Sequence, residues 1–381
     1  MTFSNRHIRN GFLILVALGL VIGGLQANSQ MVKAANASNA QDRMNVSQPK
    51  PSSSSGTNLV FLPFATNLAP RLFSQTLIGV YTPGIYPGSQ QFVDQYLTGL
   101  DSWAGLSRAV GRGHSIYGDF VDWEHTDPNS YVLGPLELLW NDGYTEFLNL
   151  SITNRTSAAI AGGCCDASIT AWAHAYKTWV DKGGNRKAYL APLEEMNGSW
   201  TPYGLDPPNF KLAYQRILNL FAAQGVTRDK VWWVFAPNGW STPPYGIQAY
   251  YPGDDKVDMV GFSSYNQSCK VPWMTPAVVF NPYIQEIRTV APSKPIFVAE
   301  TASASLQGDK DQWIRDAYSL LVQQNIRMIL YYNGDRQSVG ECDWAVYVPG
   351  GKQVQGYKDA VSSANFVYVD PATLSGMTIL P

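Results

Sequence analysis

From residue 66 onward the hydrophobic pattern alternates between two periods. Short apolar runs, β-branched or aromatic in character, recur at Leu77–Tyr81, Ser115–Phe120, Glu146–Ile152, Lys187–Leu193, Val231–Ala236, Val257–Ser263, Pro295–Ala299 and Arg327–Tyr332. Each has the length of a strand, and a loop opens after most of them. Between them lie longer stretches whose apolar positions return every third or fourth residue, at Phe92–Leu106, Ile169–Val180, Phe210–Ala223 and Trp313–Val322, with a last one near Gln355–Ser363. That is the period of a helix with one buried stripe. Eight strand–helix units in succession predict a parallel sheet that closes on itself, with right-handed crossovers that put the helices outside. The expected fold is α/β, a (β/α)8 TIM barrel forming a single catalytic domain over 66–381. The competing arrangement is an open doubly wound sheet. No GxGxxG or P-loop pattern follows any of the strands, and the count of eight favours closure.

The first 65 residues follow a different pattern. Arg6 and Arg9 precede an apolar run from Gly11 to Leu25, with small and polar residues after it. This is the layout of a secretory signal, and the run is short against the roughly 20 residues of a bilayer span. Residues 1–27 are therefore expected to be a signal peptide, or an uncleaved N-terminal anchor, and the protein to be secreted. Residues 28–65, rich in Asn, Ser, Gln and Pro and including Ser52–Ser55, read as a disordered linker with too little apolar surface to fold.

Composition adds exclusions more than assignments. A formal net charge of −2 gives no basic surface for nucleic acid or anionic lipid. The expectation is no nucleic-acid or nucleotide partner, no cofactor, and a monomer. Aromatic residues make up 13% of the chain, with 12 Trp and 21 Tyr, which suits either a large aromatic core or a cleft of rings for the apolar faces of sugars. There are four cysteines, Cys164, Cys165, Cys269 and Cys342. An exported chain can keep disulfides. Adjacent Cys164 and Cys165 bond to each other poorly, and Cys269 with Cys342 is a plausible pair because both follow strands at one end of the fold, although sequence does not choose among the pairings. With no CxxC and four scattered histidines, no metal site is expected.

In a closed barrel, reactive groups stand at the C-terminal ends of the strands. The fourth strand leads into Glu194-Glu195-Met196-Asn197-Gly198-Ser199-Trp200-Thr201-Pro202-Tyr203-Gly204, the sixth into Ser264-Tyr265-Asn266, and the seventh into Glu300-Thr301-Ala302-Ser303. The eighth leads into Tyr332-Asn333-Gly334-Asp335 and then Cys342-Asp343-Trp344. Carboxylates at the ends of strands four and seven face each other across the barrel mouth. Such a pair suits glycosidic cleavage, in which one carboxylic acid protonates the leaving oxygen and the other carboxylate meets the developing oxocarbenium carbon. Because Glu194 and Glu195 are adjacent, an extended chain sends only one of them to the barrel axis. Tyr265 is placed to give the nucleophile a hydrogen bond that keeps it ionised. Trp200, Tyr203 and Trp344, in loops after strand ends, are expected to stack on sugars. Trp232 and Trp233, inside strand five, read as packing.

These segments resemble glycoside hydrolase family 26, a barrel family best known for endo-β-mannanases, whose members also cut mixed-linkage β-glucan or β-1,3-xylan. Leu193 to Gly204 resembles the family's acid/base segment, Lys294-Pro295-Ile296-Phe297-Val298-Ala299-Glu300-Thr301 its nucleophile strand, and Val257 to Asn266 the strand bearing the tyrosine that contacts the nucleophile. Tyr332-Asn333-Gly334-Asp335 with Asp343-Trp344 resembles the strand-eight segment whose tryptophan lines the sugar next to the scissile bond. The resemblance implies Glu195 as acid/base and Glu300 as nucleophile, with Glu194, Asn197, Trp200, Tyr203, Tyr265 and Trp344 binding or positioning the substrate. It implies a retaining endo-acting hydrolase of a β-linked polysaccharide, mannan-type first, with β-1,3-1,4-glucan or β-1,3-xylan as alternatives. The chain departs from the family pattern at Glu194, where mannanases usually carry a substrate-binding His. It departs also at Ala191, where many members carry Arg, and at Tyr203, where mannanases often have Trp. These departures keep open a non-catalytic carbohydrate-binding barrel. Transglycosylation, in which a sugar replaces water as acceptor, is a third reading.

Overall fold

The computed structural model describes residues 71–73 and 75–381. The signal and linker expected over 1–65 lie outside the described residues. Eight strands form the barrel: β1 (Thr76–Tyr81), β2 (Ile116–Asp122), β3 (Thr145–Ser151), β4 (Tyr189–Pro192), β5 (Trp232–Phe235), β6 (Met259–Ser263), β7 (Ile296–Thr301) and β8 (Met328–Tyr332). Each pairs in parallel with the next, and β8 returns to β1 over Leu77–Tyr81 against Met328–Tyr332, which closes the ring. All eight expected runs are strands of the barrel, and the (β/α)8 reading holds.

The helices expected from the 3.6-residue period are present as Asp166–Val180, Pro207–Ala223, Lys310–Gln323 and Gln355–Val361. The first expected helix is broken into Gln90–Phe92, a π-helical Val93–Thr98 and Gly99–Ala104. Two helical segments carry no clear signal in the sequence. Pro276–Val290 contains Pro282, and the segment from Pro128 to Asn141 contains Pro135 in a π turn. An internal proline removes one backbone donor and ordinarily ends a helix. Here both segments persist against the outside of the barrel with apolar faces buried, Phe280, Ile284 and Ile287 on one and Val132, Leu136 and Leu139 on the other. Outside the barrel, Arg71–Phe73 pairs with Met377–Ile379, and Phe366–Val367 extends the sheet beside the start of β1.

Aromatic rings fill the barrel interior. Phe147 of β3 meets Phe297 of β7 edge-on at 5.4 Å between ring centroids, a contact that crosses the barrel. Tyr81 of β1 lies 5.1 Å from Phe120 and 6.5 Å from Phe147. Two glycines make the room. A Cβ on Gly118 would stand 2.3 Å from the Tyr81 ring, and one on Gly261 would stand 2.2 Å from the Phe297 ring. Trp232 and Trp233 are both packing residues, as alternation along β5 requires. Trp232 stacks on Tyr189 at 4.4 Å, and Trp233 meets Phe221 of an outer helix.

Candidate active site

Four strands converge on one group of carboxyls at the C-terminal mouth. Phe297 fixes the parity of β7, because its ring points into the barrel. Simple alternation would then turn Ala299 and Thr301 inward and Glu300 outward. The pairing shows why this does not happen. Phe262 opposes Val298 while Ser263 opposes Glu300, and on the other edge Val298 opposes Ile329 while Thr301 opposes Tyr331. Strand β7 therefore carries one extra residue against both neighbours, a β-bulge, and the bulge re-aims Glu300 to the interior. Glu300 is buried there. Its Oε2 accepts a hydrogen bond from Tyr265 Oη at 2.7 Å, and its Oε1 accepts from Asn149 Nδ2 of β3 at 3.4 Å. Asn149 Nδ2 also reaches Tyr81 Oη at 3.1 Å.

The other carboxyls come from the turn after β4. That strand stops at Pro192, and Leu193 (φ 58°) and Glu195 (φ 54°) both occupy the left-handed region. Non-glycine side chains rarely sit there, and such strain collects at functional sites. The extended chain has already ended at Pro192, so the alternation that would set the two glutamates on opposite faces does not apply to them, and the charges of both act on Glu300. Glu195 is half-buried. Its Oε1 accepts from Asn238 Nδ2 at 2.8 Å and its Oε2 from Trp200 Nε1 at 2.6 Å, while its backbone N–H donates to Ala236 O at 2.8 Å. Glu194 is buried, with Oε2 lacking a protein partner.

Burial pushes all three carboxyls above their ordinary range. Glu194 is raised to about 8, by burial and then by the charge of Glu195. Glu300 is raised well above its usual value, by burial and then by Glu195, against the pull of Tyr265 and Asn149. Glu195 is raised by burial, and its hydrogen bonds to Asn238 and Trp200 oppose this. All three shifts have burial as their largest cause, and the charge of Glu195 adds to those of Glu194 and Glu300. The expectation that the Tyr265 bond keeps Glu300 ionised is met in geometry only. At Glu300 burial, with the charge of Glu195 added, outweighs that bond.

The remaining site residues divide into two groups. Tyr265 is half-buried beside Glu300, with Tyr332 at 6.1 Å and Trp344 at 5.2 Å, so one aromatic wall borders that carboxyl. Trp344 is only 4% exposed, so it contributes an edge to this wall and no open face. Asn197 and Tyr203 are corrections. Asn197 is fully buried, donates to Asn238 O at 2.7 Å and Ser241 Oγ at 2.8 Å, and accepts from Asn238 N at 2.8 Å. It organises the loop after β5, with both amide hydrogens used and no surface open to a substrate. Tyr203 is buried too, its hydroxyl donating to Glu194 O at 2.9 Å. It braces the β4 turn and is no sugar platform.

Asn149, Asn238 and Trp240 are site residues that the sequence reading missed. Trp240 is 53% exposed and stacks on Trp200 at 5.9 Å with the planes 18° apart. The rule that reactive groups follow strand ends, applied to strand five, reaches both Asn238 and Trp240. Asn149 gives no comparable signal, being one polar residue inside an apolar strand. A disulfide, Cys269–Cys342, joins the loop after β6 to the loop after β8, the two that carry Tyr265 and Trp344. Cys164 and Cys165 are free thiols. Among the described residues, no group of three or more His, Cys, Asp or Glu is placed to hold a metal ion.

Comparisons with known proteins agree with the barrel fold. The family profile described as glycosyl hydrolase family 26 matches residues 184–301, from the start of β4 to the end of β7. Endoglucanase H of Acetivibrio thermocellus is 27% identical over 311 residues. The match takes in 77% of this chain but 32% of that protein, so the chain spans about a third of its relative's length. Among solved structures, an endo-β-1,4-mannanase from Bacillus sp. JAMB-750 shares the fold at TM-score 0.58 and 14% identity, over 80% of this chain and 91% of that one. A Bacillus subtilis mannanase aligns at TM-score 0.55 and 17% identity, over 77% and 86%. A Bacteroides ovatus β-mannanase aligns at TM-score 0.55 and 16% identity, over 78% and 91%.

Proposed function

Because this chain belongs to glycosyl hydrolase family 26, we propose that it hydrolyses a β-linked polysaccharide from within the chain and with retention of configuration. One observation carries the reading. Two carboxyls with separate donor sets, Glu195 with Asn238 and Trp200 and Glu300 with Tyr265 and Asn149, stand at the mouth of one barrel, near enough for the charge of Glu195 to act on Glu300. In the proposed reaction Glu195 gives its proton to the glycosidic oxygen as the C1–O bond breaks. The Glu300 carboxylate then bonds to C1 and the first fragment leaves with the proton. Water next attacks C1, Glu195 takes a proton from it, and the ester to Glu300 breaks. The upward shift of Glu195 by burial supports its part in this, since an acid must hold its proton near neutral pH to donate it.

For the sugar, we place a gluco-configured backbone ahead of mannan. Glu194 stands where mannanases usually carry His, and it is buried beside the catalytic pair with one oxygen free. The relative of highest identity among those described above is named an endoglucanase. Mannan is the second reading, favoured by the shared fold with mannanases. A reducing-sugar assay over lichenan, mannan, galactomannan, xylan and β-1,3-xylan tests the proposal. Lichenan is expected to give the highest rate. A higher rate on mannan reverses the order of the two readings. Binding without sugar release from any of the five leaves a carbohydrate-binding barrel in place of an enzyme.

A further inference from the structure

The loop after β5 holds a large aromatic surface in the open at the edge of the site. Trp240 is 53% exposed, yet its loop is fixed. Its backbone N–H donates to Asn238 Oδ1 at 2.9 Å, Asn238 is clamped to Asn197, and Thr242 N donates to Asn197 O at 2.9 Å. An ordered loop that leaves half a tryptophan in water is an unusual use of the largest apolar side chain. Trp240 stacks on Trp200, and Trp200 in turn donates its indole N–H to Glu195. The two rings therefore form a shelf, built by the loops after β4 and β5, that is bonded at one end to Glu195. The aromatic wall around Glu300, from Tyr265, Tyr332 and Trp344, belongs to β6 and β8. The two aromatic surfaces come from different strands, one bonded to Glu195 and the other to Glu300.

We infer that the Trp200–Trp240 shelf binds the sugar units on the leaving-group side of the cleaved bond, with Trp240 stacking on the apolar face of a ring beyond the first. The inference rests on the reading of Glu195 as proton donor. The group that protonates the departing oxygen stands next to the departing sugar, so a surface reached through it and away from Glu300 meets that half of the substrate. Stacking on an aromatic face suits this task because it is tolerant of which hydroxyls a sugar carries and needs no desolvated hydrogen bond.

The test uses mixed-linkage gluco-hexaose and mannohexaose, each labelled with heavy oxygen at the reducing end, and compares the native protein with Trp240→Ala and Trp240→Phe. The native protein is expected to leave the label on fragments of two or more units. Trp240→Ala should shift cleavage toward the reducing end and raise KM about three- to tenfold. Trp240→Phe, which keeps a ring, should restore most of the native pattern. An unchanged pattern, or a shift toward the non-reducing end, overturns the assignment. If the native protein cuts neither sugar, the leaving-group assignment is overturned for both, and calorimetric titration with the same hexaoses shows what is left of it: binding about three- to tenfold weaker in Trp240→Ala keeps Trp240 as a sugar platform, and equal or absent binding removes that as well.

Discussion

Glu300→Ala is expected to lower kcat on polysaccharide by roughly 10⁴- to 10⁶-fold, the scale set by removing a nucleophile from a covalent mechanism. The fold should survive, and thermal stability should hold or rise. The carboxyl is buried among two others, and its titration is pushed far above normal by burial and by Glu195, so its presence costs stability. With azide added, the variant should regain turnover on an activated β-glycoside and release the α-glycosyl azide. A small anion in the emptied space attacks C1 from the face that Glu300 occupied, and no second displacement follows. A β-azide product would place the nucleophile elsewhere. Circular dichroism and a melting curve separate this result from simple misfolding.

Glu195→Ala has the second largest expected effect, about 10²- to 10⁴-fold on kcat/KM for substrates whose leaving group needs a proton. With a dinitrophenyl glycoside, which leaves unprotonated, the first step should persist and the second should slow, giving a burst of dinitrophenol followed by a low steady rate. Azide should here give the β-glycosyl azide, the opposite of the Glu300 variant. The pH profile carries an independent readout. An acid that must be protonated loses activity as pH rises through its pKa, and burial pushes the Glu195 carboxyl up. The native profile should therefore keep its rate above the usual carboxylate range and then fall. In Glu195→Ala that alkaline fall should vanish for the dinitrophenyl substrate. A fall that stays in place would assign it to Glu194, which burial raises to about 8.

The sequence and the structure agree wherever the physics is periodic. Eight apolar runs became eight strands because a strand buried on both faces must be apolar throughout. Glu195, Glu300 and Tyr265 were legible because each stands at or just past the C-terminal end of its strand, where the barrel places its chemistry. Three features were hidden because they depend on departures from periodicity. The bulge in β7 turns Glu300 inward although parity with Phe297 would turn it outward, and the run from Ile296 to Thr301 shows no glycine or proline to announce it. The left-handed Leu193 and Glu195 are residue types that ordinarily avoid that conformation. Tyr203 sits in a glycine-bearing loop that looks solvent-exposed, but the loop folds back so that its hydroxyl can satisfy Glu194 O. Among the site residues, Asn149 was the least accessible to reading. Its partner across the barrel is 151 positions away, and only closure of the sheet brings the two together.

Mass spectrometry of the protein after reaction with 2-deoxy-2-fluoro-β-cellobiosyl fluoride tests the two-glutamate mechanism most directly. The fluorine at C2 slows both steps, and the good leaving group lets the first proceed. The expected result is inactivation with one glycosyl unit added per chain and found on the peptide containing Glu300. Inactivation with the label on Glu194, Glu195 or any other residue, or an unchanged rate of labelling in Glu300→Ala, would contradict it.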